Sequence, residues 1–494
     1  MTKQIRRIIS GLVWFAVAMI AIASIWQLEA ERDSVSVRTL ETAGGDVTLY
    51  MRDADVSAPL VIMTHGFAGS RQMMQYISRD LARGGMQVAA FDFYGQGRST
   101  GRMSADVTRI EGTTQQLIEQ TQQVTQDVRL ALSYEGPVAL VGHSMATDII
   151  IRAAQDIPNV AAIVAVSMYS EAVTPEEPKQ LLIISGEWED RLRDVGRAML
   201  AQVSQSAEEG ETVTQRDVTR RAVYTPRTEH VAVLFAAATM QETRAWLAQA
   251  FEIEAGVPVQ PQGLAIALCL MALVALVWPV ARIVPCRNGS RPSFSVKTYF
   301  LAILLPIAPA VGLSILANGA VLGSASFGAL MAFFASWGST ALAVLIWGGY
   351  RPQAPAWMGC VLFLAWALGV FALALDRYAA AFLPTGPRLE LMAALLVGTV
   401  PFMLADRVLL YGAALWQRVL ARVVPVAVFA STMMMVPQDL GLLFTVLPVM
   451  VLFYCVFGTM GRAIGQRSGP ETSGLALGVI LAWSIAASTP LFAG

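Results

Sequence analysis

From residue 264 to the C-terminus, apolar runs of membrane-spanning length follow one another: 264–282, 296–316, 327–347, 357–375, 389–405, 419–436, 440–460 and 475–492. In hydrocarbon each backbone N–H and C=O must be satisfied internally, so runs of about 20 apolar residues are read as helices. They predict eight spans. A further apolar run, 8–26, lies near the N-terminus behind Lys3, Arg6 and Arg7. Its alternative is a cleaved signal peptide, because Ala21-Ile22-Ala23 resembles a small-residue cleavage site. Its length favours an uncleaved anchor, giving nine spans. With the segment after the anchor exported, the inside loops hold Arg287, Arg291 and Lys297; Arg351; Arg407, Arg418 and Arg422; and Arg462 and Arg467. The outside loops hold only Arg377 and Arg388. This is the positive-inside asymmetry, and it places the N-terminus in the cytoplasm and the C-terminus outside.

The chain is 55% hydrophobic and 14% charged, and the charge is uneven. Residues 1–263 carry 23 basic and 31 acidic side chains; the remainder carries 12 and 5. No basic stripe with interleaved aromatics occurs, so nucleic acid is not an expected partner. All four cysteines (Cys269, Cys286, Cys360, Cys455) fall in the apolar half. The polar part therefore offers no disulfide, thiol nucleophile or cysteine zinc site. No ionisable residue lies deep inside a span, which argues against a proton- or ion-coupled transporter. A structural or docking bundle is the plainer reading of the spans, and a lipid-facing groove the alternative. Three lysines against 32 arginines suggest a GC-rich bacterial genome, hence an inner membrane with an extracytoplasmic domain.

Between these membrane segments, strand-like and helix-like stretches alternate. Residues 35–40 and 47–51 form a hairpin around Gly44-Gly45; 60–64, 88–91, 138–141, 160–166 and 181–184 are short buried strands. Segments 71–83, 120–133, 148–156, 191–203 and 231–249 have helical spacing. Such alternation predicts an α/β domain, a mostly parallel sheet covered by helices. The expected organisation is an anchor segment 1–32, an α/β domain 33–250, a Pro/Gly linker 251–263 and an all-α transmembrane bundle 264–494.

The chemistry centres on residues 138–147, VALVGHSMAT. An apolar strand runs into Gly142-His143-Ser144-Met145-Ala146 and then a helix-compatible run. A serine on so sharp a strand-to-helix turn needs small residues two positions away on either side, here Gly142 and Ala146. Its hydroxyl needs a general base, and the base an orienting acid, in chain order Ser, Asp/Glu, His. Only three histidines exist. His143 is the variable position of the turn and His65 opens the loop His65-Gly66-Phe67-Ala68-Gly69, which leaves His230 as base. The acid falls in Ser185-Gly186-Glu187-Trp188-Glu189-Asp190, where Asp190 is favoured over Glu189. Two N–H donors should converge on the oxyanion: Met145, directly after the serine, and Phe67, where Gly66 permits close approach. No metal or cofactor is implied, since the ligand-type histidines are used and no Gly-rich phosphate loop opens a helix.

His65-Gly66-Phe67-Ala68-Gly69-Ser70, the block from Phe91-Asp92-Phe93-Tyr94-Gly95-Gln96-Gly97-Arg98-Ser99 to Thr100-Gly101, and Gly142-His143-Ser144-Met145 occur in order. Together they resemble the α/β-hydrolase superfamily, and within it the monoglyceride-lipase and serine-aminopeptidase branch. The resemblance spans about residues 35–250. It implies a Ser144–Asp190/Glu189–His230 triad acting on an ester, thioester or amide through an acyl-enzyme. Ala146-Thr147 stands where that branch usually has Gly-Gly. The segment 167–180, where the branch inserts a lid, is short. An open pocket covered by membrane or helical bundle, with an acyl lipid or small apolar ester as substrate, is the expectation. The expected function is a membrane-bound serine esterase on the exported side. Amidase, peptidase and acyltransferase variants, and a non-catalytic binding domain on a transport or scaffold bundle, are its alternatives.

Overall fold

The computed structural model describes residues 3–52, 57–254, 256–286, 294–436 and 440–494. Arg287 and Arg291, counted above among the inside loops, lie outside the described residues. The chain divides into two compact units. One comprises Ser24–Ala267 with Arg377–Ala381; the other comprises Met1–Ala23, Leu268–Asp376 and Phe382–Gly494.

The first unit is built on a nine-stranded sheet: β1 Ser36–Thr42, β2 Gly45–Met51, β3 Leu60–Thr64, β4 Gln87–Phe91, β5 Val138–His143, β6 Val160–Val166, β7 Gln180–Gly186, β8 Thr212–Gln215 and β9 Val218–Thr225. Their spatial order is β1-β2-β4-β3-β5-β6-β7-β9-β8. From β4 to β9 neighbours are parallel; the β1–β2 hairpin at one edge and β8 at the other are antiparallel. The central strands β3, β4 and β5 are buried along their whole length, as apolar strands covered on both faces must be. Chain order doubles back about β3 and β5, and the ligand crevice of an open parallel sheet lies off the carboxyl ends of its strands. The covering helices are α1 Lys3–Arg32 (through its last residues), α2 Gln75–Arg83, α3 Gln115–Leu132, α4 Met145–Ala153, α5 Asp190–Ala201 and α6 Ala237–Ala250.

Two sequence expectations are corrected, and two strands are added. The helix expected over 71–83 starts only at Gln75, because residues 70–74 form turns (Met73 N–H to Ser70 C=O, 3.0 Å). The one expected over 231–249 is a short 3-10 turn, Ala232–Phe235, followed by α6. Strands β8 and β9 occupy a stretch for which the sequence pattern predicts no element. Hydropathy hid β9 because it contains Arg220-Arg221. Arg220 is nonetheless fully buried. Its guanidinium donates to the Met199 carbonyl (2.8 Å), Gln202 Oε1 (2.8 Å) and the Glu177 and Thr174 carbonyls, so the buried cation is spread over acceptors.

The first unit also contains a buried ion network. Glu31, near the end of α1, meets Arg79 Nη1 at 3.2 Å and Arg83 Nη1 at 3.6 Å. Asp80 meets Arg83 Nη2 at 3.1 Å and Arg244 Nη1 at 2.9 Å. Residues Arg377–Ala381 join the same unit. The Arg377 guanidinium forms a two-pronged pair with Glu29 (2.6 and 2.5 Å), the Tyr76 hydroxyl donates to the Tyr378 carbonyl (2.8 Å), and Ala381 N–H donates to Ser70 Oγ (3.0 Å).

The second unit is helical. Across the described residues nine helices are long and apolar enough to cross a membrane: Gln4–Arg32, Gly263–Ala281, Val296–Leu316, Phe327–Trp347, Trp357–Tyr378, Pro387–Leu410, Leu415–Met435, Gly441–Ser468 and Pro470–Ser488. Within this unit Pro387–Leu410 is the hub, packed along both Phe327–Trp347 and Pro470–Ser488. Backbones approach so closely there that a Cβ on Gly338 would lie 2.2 Å from Phe402 N, and one on Gly478 2.6 Å from Val400 Cα. Small residues at helix contacts are what lipid-immersed bundles use in place of a hydrophobic driving force. Arg388, one of the two basic residues that run against the charge asymmetry, is buried and donates to the Ala486 and Thr489 carbonyls at 2.8 and 2.7 Å. The other, Arg377, is the partner of Glu29.

The Glu31 network supplies a stability prediction. Glu31→Ala leaves Arg79 buried without its carboxylate and Arg83 with Asp80 alone, and breaking a buried pair in this way typically costs about 3–5 kcal/mol. The full-length protein in detergent is expected to melt several degrees lower than wild type, and an unchanged melting profile would refute this role.

Candidate active site

Strand β5 delivers Ser144 to the carboxyl edge of the sheet. Its backbone stands at φ 55° and ψ −123°, a left-handed conformation that a non-glycine residue adopts only when its surroundings impose it. They do so from both sides. Ser144 N–H donates to the Val166 carbonyl of β6 (2.9 Å), and the Ser144 carbonyl accepts from Thr147 N–H (2.9 Å) and Thr147 Oγ1 (2.7 Å). A Cβ on Gly142 would meet Ala146 O, Ile150 Cδ1 and Thr64 Oγ1, each at 3.0 Å. Ala146 fits fully buried where glycine is usual. Thr147 has a use that glycine lacks, since its hydroxyl also donates to the Tyr169 carbonyl at 3.1 Å.

Ser144 Oγ lies 2.9 Å from His230 Nε2, and His230 Nδ1 lies 2.5 Å from Glu189 Oε1. The other Glu189 oxygen accepts from Gly186 N–H (2.6 Å) and Ser167 Oγ (2.7 Å). Burial alone pushes the Glu189 carboxyl up, but the hydrogen bonds from His230, Gly186 and Ser167 outweigh it and hold the group below its ordinary value. The preference for Asp190 is thereby corrected. The turn closed by Glu189 N–H on the Gly186 carbonyl (3.1 Å) folds the Glu189 side chain back over Gly186, whereas Asp190 opens α5 and is exposed.

The loops carrying Glu189 and His230 are joined by their backbones. Glu187 N–H donates to Thr225 C=O (3.0 Å), Trp188 N–H to Thr228 C=O (3.1 Å), and Arg227 N–H to Glu187 Oε2 (2.6 Å). A side chain at Gly186 would strike Thr228 O at 2.7 Å. This seam follows from β7 and β9 being parallel neighbours, so sequence reasoning without β9 missed it. It missed Ser167 as well, which carries no motif; its only signal is its place at the end of β6, beside the elbow strand.

His143 packs against His230, and its Nε2–H donates to the His230 carbonyl at 2.8 Å. Burial, reinforced by neighbouring His230, lowers its pKa to about 4, so it is a neutral strut. His65 is equally buried, and burial holds it below the ordinary histidine value. Its Nε2 accepts Phe93 N–H (3.1 Å) and its Nδ1–H reaches the Gly66 carbonyl (2.8 Å). His65 thus ties the 65–69 loop to the Asp92 loop. There Asp92 accepts from Arg71 N–H (2.7 Å) and Arg98 N–H (3.1 Å), and a Cβ on Gly97 would overlap its carboxylate. The 65–69 loop lies directly on the serine: a Cβ at Gly66 would come within 2.9 Å of both Ser144 Cβ and His143 Nδ1. Phe67 follows in that loop, and Met145 opens α4.

The rim is open. The His230 side chain is 43% exposed. Residues 167–179, between β6 and β7, contain no helix. Tyr169 and Trp188 stand exposed next to the elements that hold Ser144 and Glu189. Among the described residues no His/Cys/Asp/Glu group is arranged to hold a metal ion.

Residues 56–246 match the family model described as serine aminopeptidase, S33. No curated protein matches the sequence. Solved structures that resemble the chain include a monoglyceride lipase of Saccharomyces cerevisiae, 12% identical over 44% of this chain and 96% of that one, TM-score 0.33. An esterase of Thermogutta terrifontis is 13% identical over 44% and 99%, TM-score 0.32. A bacterial membrane phospholipase A is 12% identical over 50% and 96%, TM-score 0.32. The nine apolar helices fit a membrane domain. Residues 56–246, the α/β part of the chain, are thus similar to the serine aminopeptidase S33 family, and the rest of the described chain carries helices long and apolar enough to cross a membrane.

Proposed function

We propose that the protein is a membrane-bound serine hydrolase that cleaves an acyl ester through a Ser144–His230–Glu189 relay, on the exported side of a bacterial inner membrane. One observation carries the reading: Oγ, imidazole and carboxylate stand in line at 2.9 and 2.5 Å. His230 Nε2 takes the Ser144 proton as Oγ bonds to the acyl carbon. Glu189 keeps the ring oriented and stabilises the imidazolium that results. The oxyanion is received by the N–H groups of Met145 and Phe67. His230 then returns the proton to the departing alcohol, and a water activated the same way releases the acid. The charge asymmetry of the connecting loops supports the exported placement. The open rim with Tyr169 and Trp188, and the apolar helices, support an acyl lipid or other apolar ester as substrate. The names of the monoglyceride lipase and phospholipase A point the same way. The family's printed description, serine aminopeptidase, supports amide hydrolysis as a second reading, which a matched ester and anilide pair would separate.

The direct test is labelling of the detergent-purified protein by a fluorophosphonate probe, which reacts with an activated serine. Wild type is expected to label and Ser144→Ala to be blank; an unlabelled, well-folded wild type would refute the enzyme reading. Glu189→Gln should lower ester turnover by about 10³–10⁴-fold, the loss seen when a triad acid is neutralised. Asp190→Asn should stay near wild type, and the reverse ranking would return the acid role to Asp190.

The acid limb has a structural contribution too. Unfolded, His143 titrates near its ordinary value of 6.5; folded, it resists protonation down to about 4. The unfolded state therefore binds the extra proton first, and stability falls as pH drops from about 6.5 towards 4. His143→Gln, which keeps a donor for the His230 carbonyl but does not titrate, is expected to flatten that part of the melting-temperature profile. A profile identical to wild type would show that His143 is not its source.

The rim gives a substrate prediction. Tyr169→Ala with Trp188→Ala is expected to reduce turnover of a long-chain monoacylglycerol in micelles several-fold while leaving p-nitrophenyl acetate hydrolysis nearly unchanged. Equal effects on the two substrates would remove the rim from lipid recognition.

A further inference from the structure

Four arginines converge at one end of the helical unit. Arg407 lies in the last turn of Pro387–Leu410, Arg418 and Arg422 in the first turns of Leu415–Met435, and Arg462 near the end of Val446–Ser468. With Tyr411 and Gln466 they line a cavity of about 520 Å³. Among the described residues no acidic side chain lines it. The nearest countercharge is Asp406, whose Oδ1 lies 3.4 Å from Arg422 Nε and whose buried Oδ2 has no hydrogen-bond partner.

Among the described residues no other carboxylate pairs with these arginines. Arg407 is only 6% exposed, yet among the described residues its side chain makes one hydrogen bond, Nε to Ser473 Oγ at 3.2 Å. Gly465 makes room for it, since a Cβ there would stand 3.2 Å from Arg407 Nη2. The Arg422 guanidinium rests over the Tyr454 ring, 4.6 Å from its centre. Arg418 and Arg462 have no side-chain hydrogen bond or ion pair to other described residues. One carboxylate among four guanidinium groups leaves a strongly positive cavity. Like charges confined beside a low-dielectric core repel, and a buried cation without a partner is costly. An anion that fills the cavity removes both penalties.

The shape of the donor set says which anion. Guanidinium groups present paired N–H donors that match phosphate oxygens two at a time, and several together exceed what one carboxylate ligand uses. The depth says where it comes from. All four arginines sit at the ends of apolar helices, next to the turn at residues 411–414, and Trp416, 54% exposed, stands at the same end. Tryptophan and tyrosine mark the headgroup layer of a bilayer, and basic pockets between helices at that level bind anionic headgroups.

We propose that this cavity binds a phosphate-bearing anion, either the headgroup phosphate of an anionic phospholipid or a soluble phosphate compound. The proposal does not depend on the reading of Ser144. Binding is measured on delipidated full-length protein in neutral detergent with two probes, fluorescent-tailed phosphatidylglycerol in mixed micelles and radiolabelled inorganic phosphate. Wild type is expected to bind at least one of them, more weakly as salt rises. Arg418→Gln with Arg462→Gln is expected to weaken that binding at least about tenfold, the scale of a lost charge-assisted pair. Arg467→Gln, which removes a nearby arginine that donates to the Val284 carbonyl (2.9 Å) and lies outside the cavity, should bind like wild type. Capture of phosphatidylglycerol but not phosphate assigns the site to a lipid; capture of phosphate, with displacement of the lipid probe by it, assigns it to a soluble ligand. Gel filtration and fluorophosphonate labelling of each variant confirm that it is folded. The proposal fails if wild type binds neither probe, or if the folded double variant binds as wild type does.

Discussion

Ser144 holds a backbone conformation that it would not choose, and the rest of the site is arranged to keep it there. A β-carbon at φ 55° crowds the chain on both sides. The conformation persists because β5 is pinned between β3 and β6, and because the Thr147 hydroxyl and amide both hold the serine carbonyl. Gly66 must then be a glycine for the neighbouring loop to lie against the serine, and Gly186 must be one for the loops of acid and base to close on each other. His230 is in turn held through its carbonyl by a second, uncharged histidine, His143. The result is a serine whose backbone is fixed by Val166 and Thr147 and whose hydroxyl meets an imidazole that is itself held in place.

Much of this was legible in the sequence. The apolar runs ending in Gly142-His143-Ser144 and preceding His65-Gly66 are strands because nothing else buries five such residues on both faces. The scarcity of histidine singled out His230. What could not be read was the choice between two adjacent carboxylates. That choice depends on a turn geometry that points one side chain back over Gly186 and leaves its neighbour on the outer face of a helix. Strand β9 was hidden for a related reason: Arg220 counts as polar in any hydropathy pattern, and only the carbonyls waiting for it in three dimensions make its burial tolerable. Ser167 bears no motif at all, and its contact with Glu189 exists only once β6 and β7 lie side by side.

In the helical region composition spoke more clearly than detail. Spans were visible because hydrocarbon admits so few backbone solutions. The local interruptions were not: the break at Leu305-Pro306, between helices Val296–Leu304 and Ile307–Leu316, and the wider π-helical turns of Ala365–Ala372 follow from packing. The basic residues of the loops read as topology signals, yet several have specific structural work. Arg388 ties down helix-terminal carbonyls, Arg377 grips Glu29, and four more share one cavity.

The participation of Arg377–Ala381 in the unit built on the sheet has a consequence for biosynthesis. A unit whose sheet is complete by residue 225 still lacks Arg377, Tyr378 and Ala381, which bond to Glu29, Tyr76 and Ser70, and these emerge from the ribosome only after several apolar helices have been made. Ser70 directly follows the loop that lies on Ser144. The final arrangement of that loop is therefore reached only when a later, distant part of the chain arrives, so completion of the sheet-bearing unit is timed by synthesis of the helices between them.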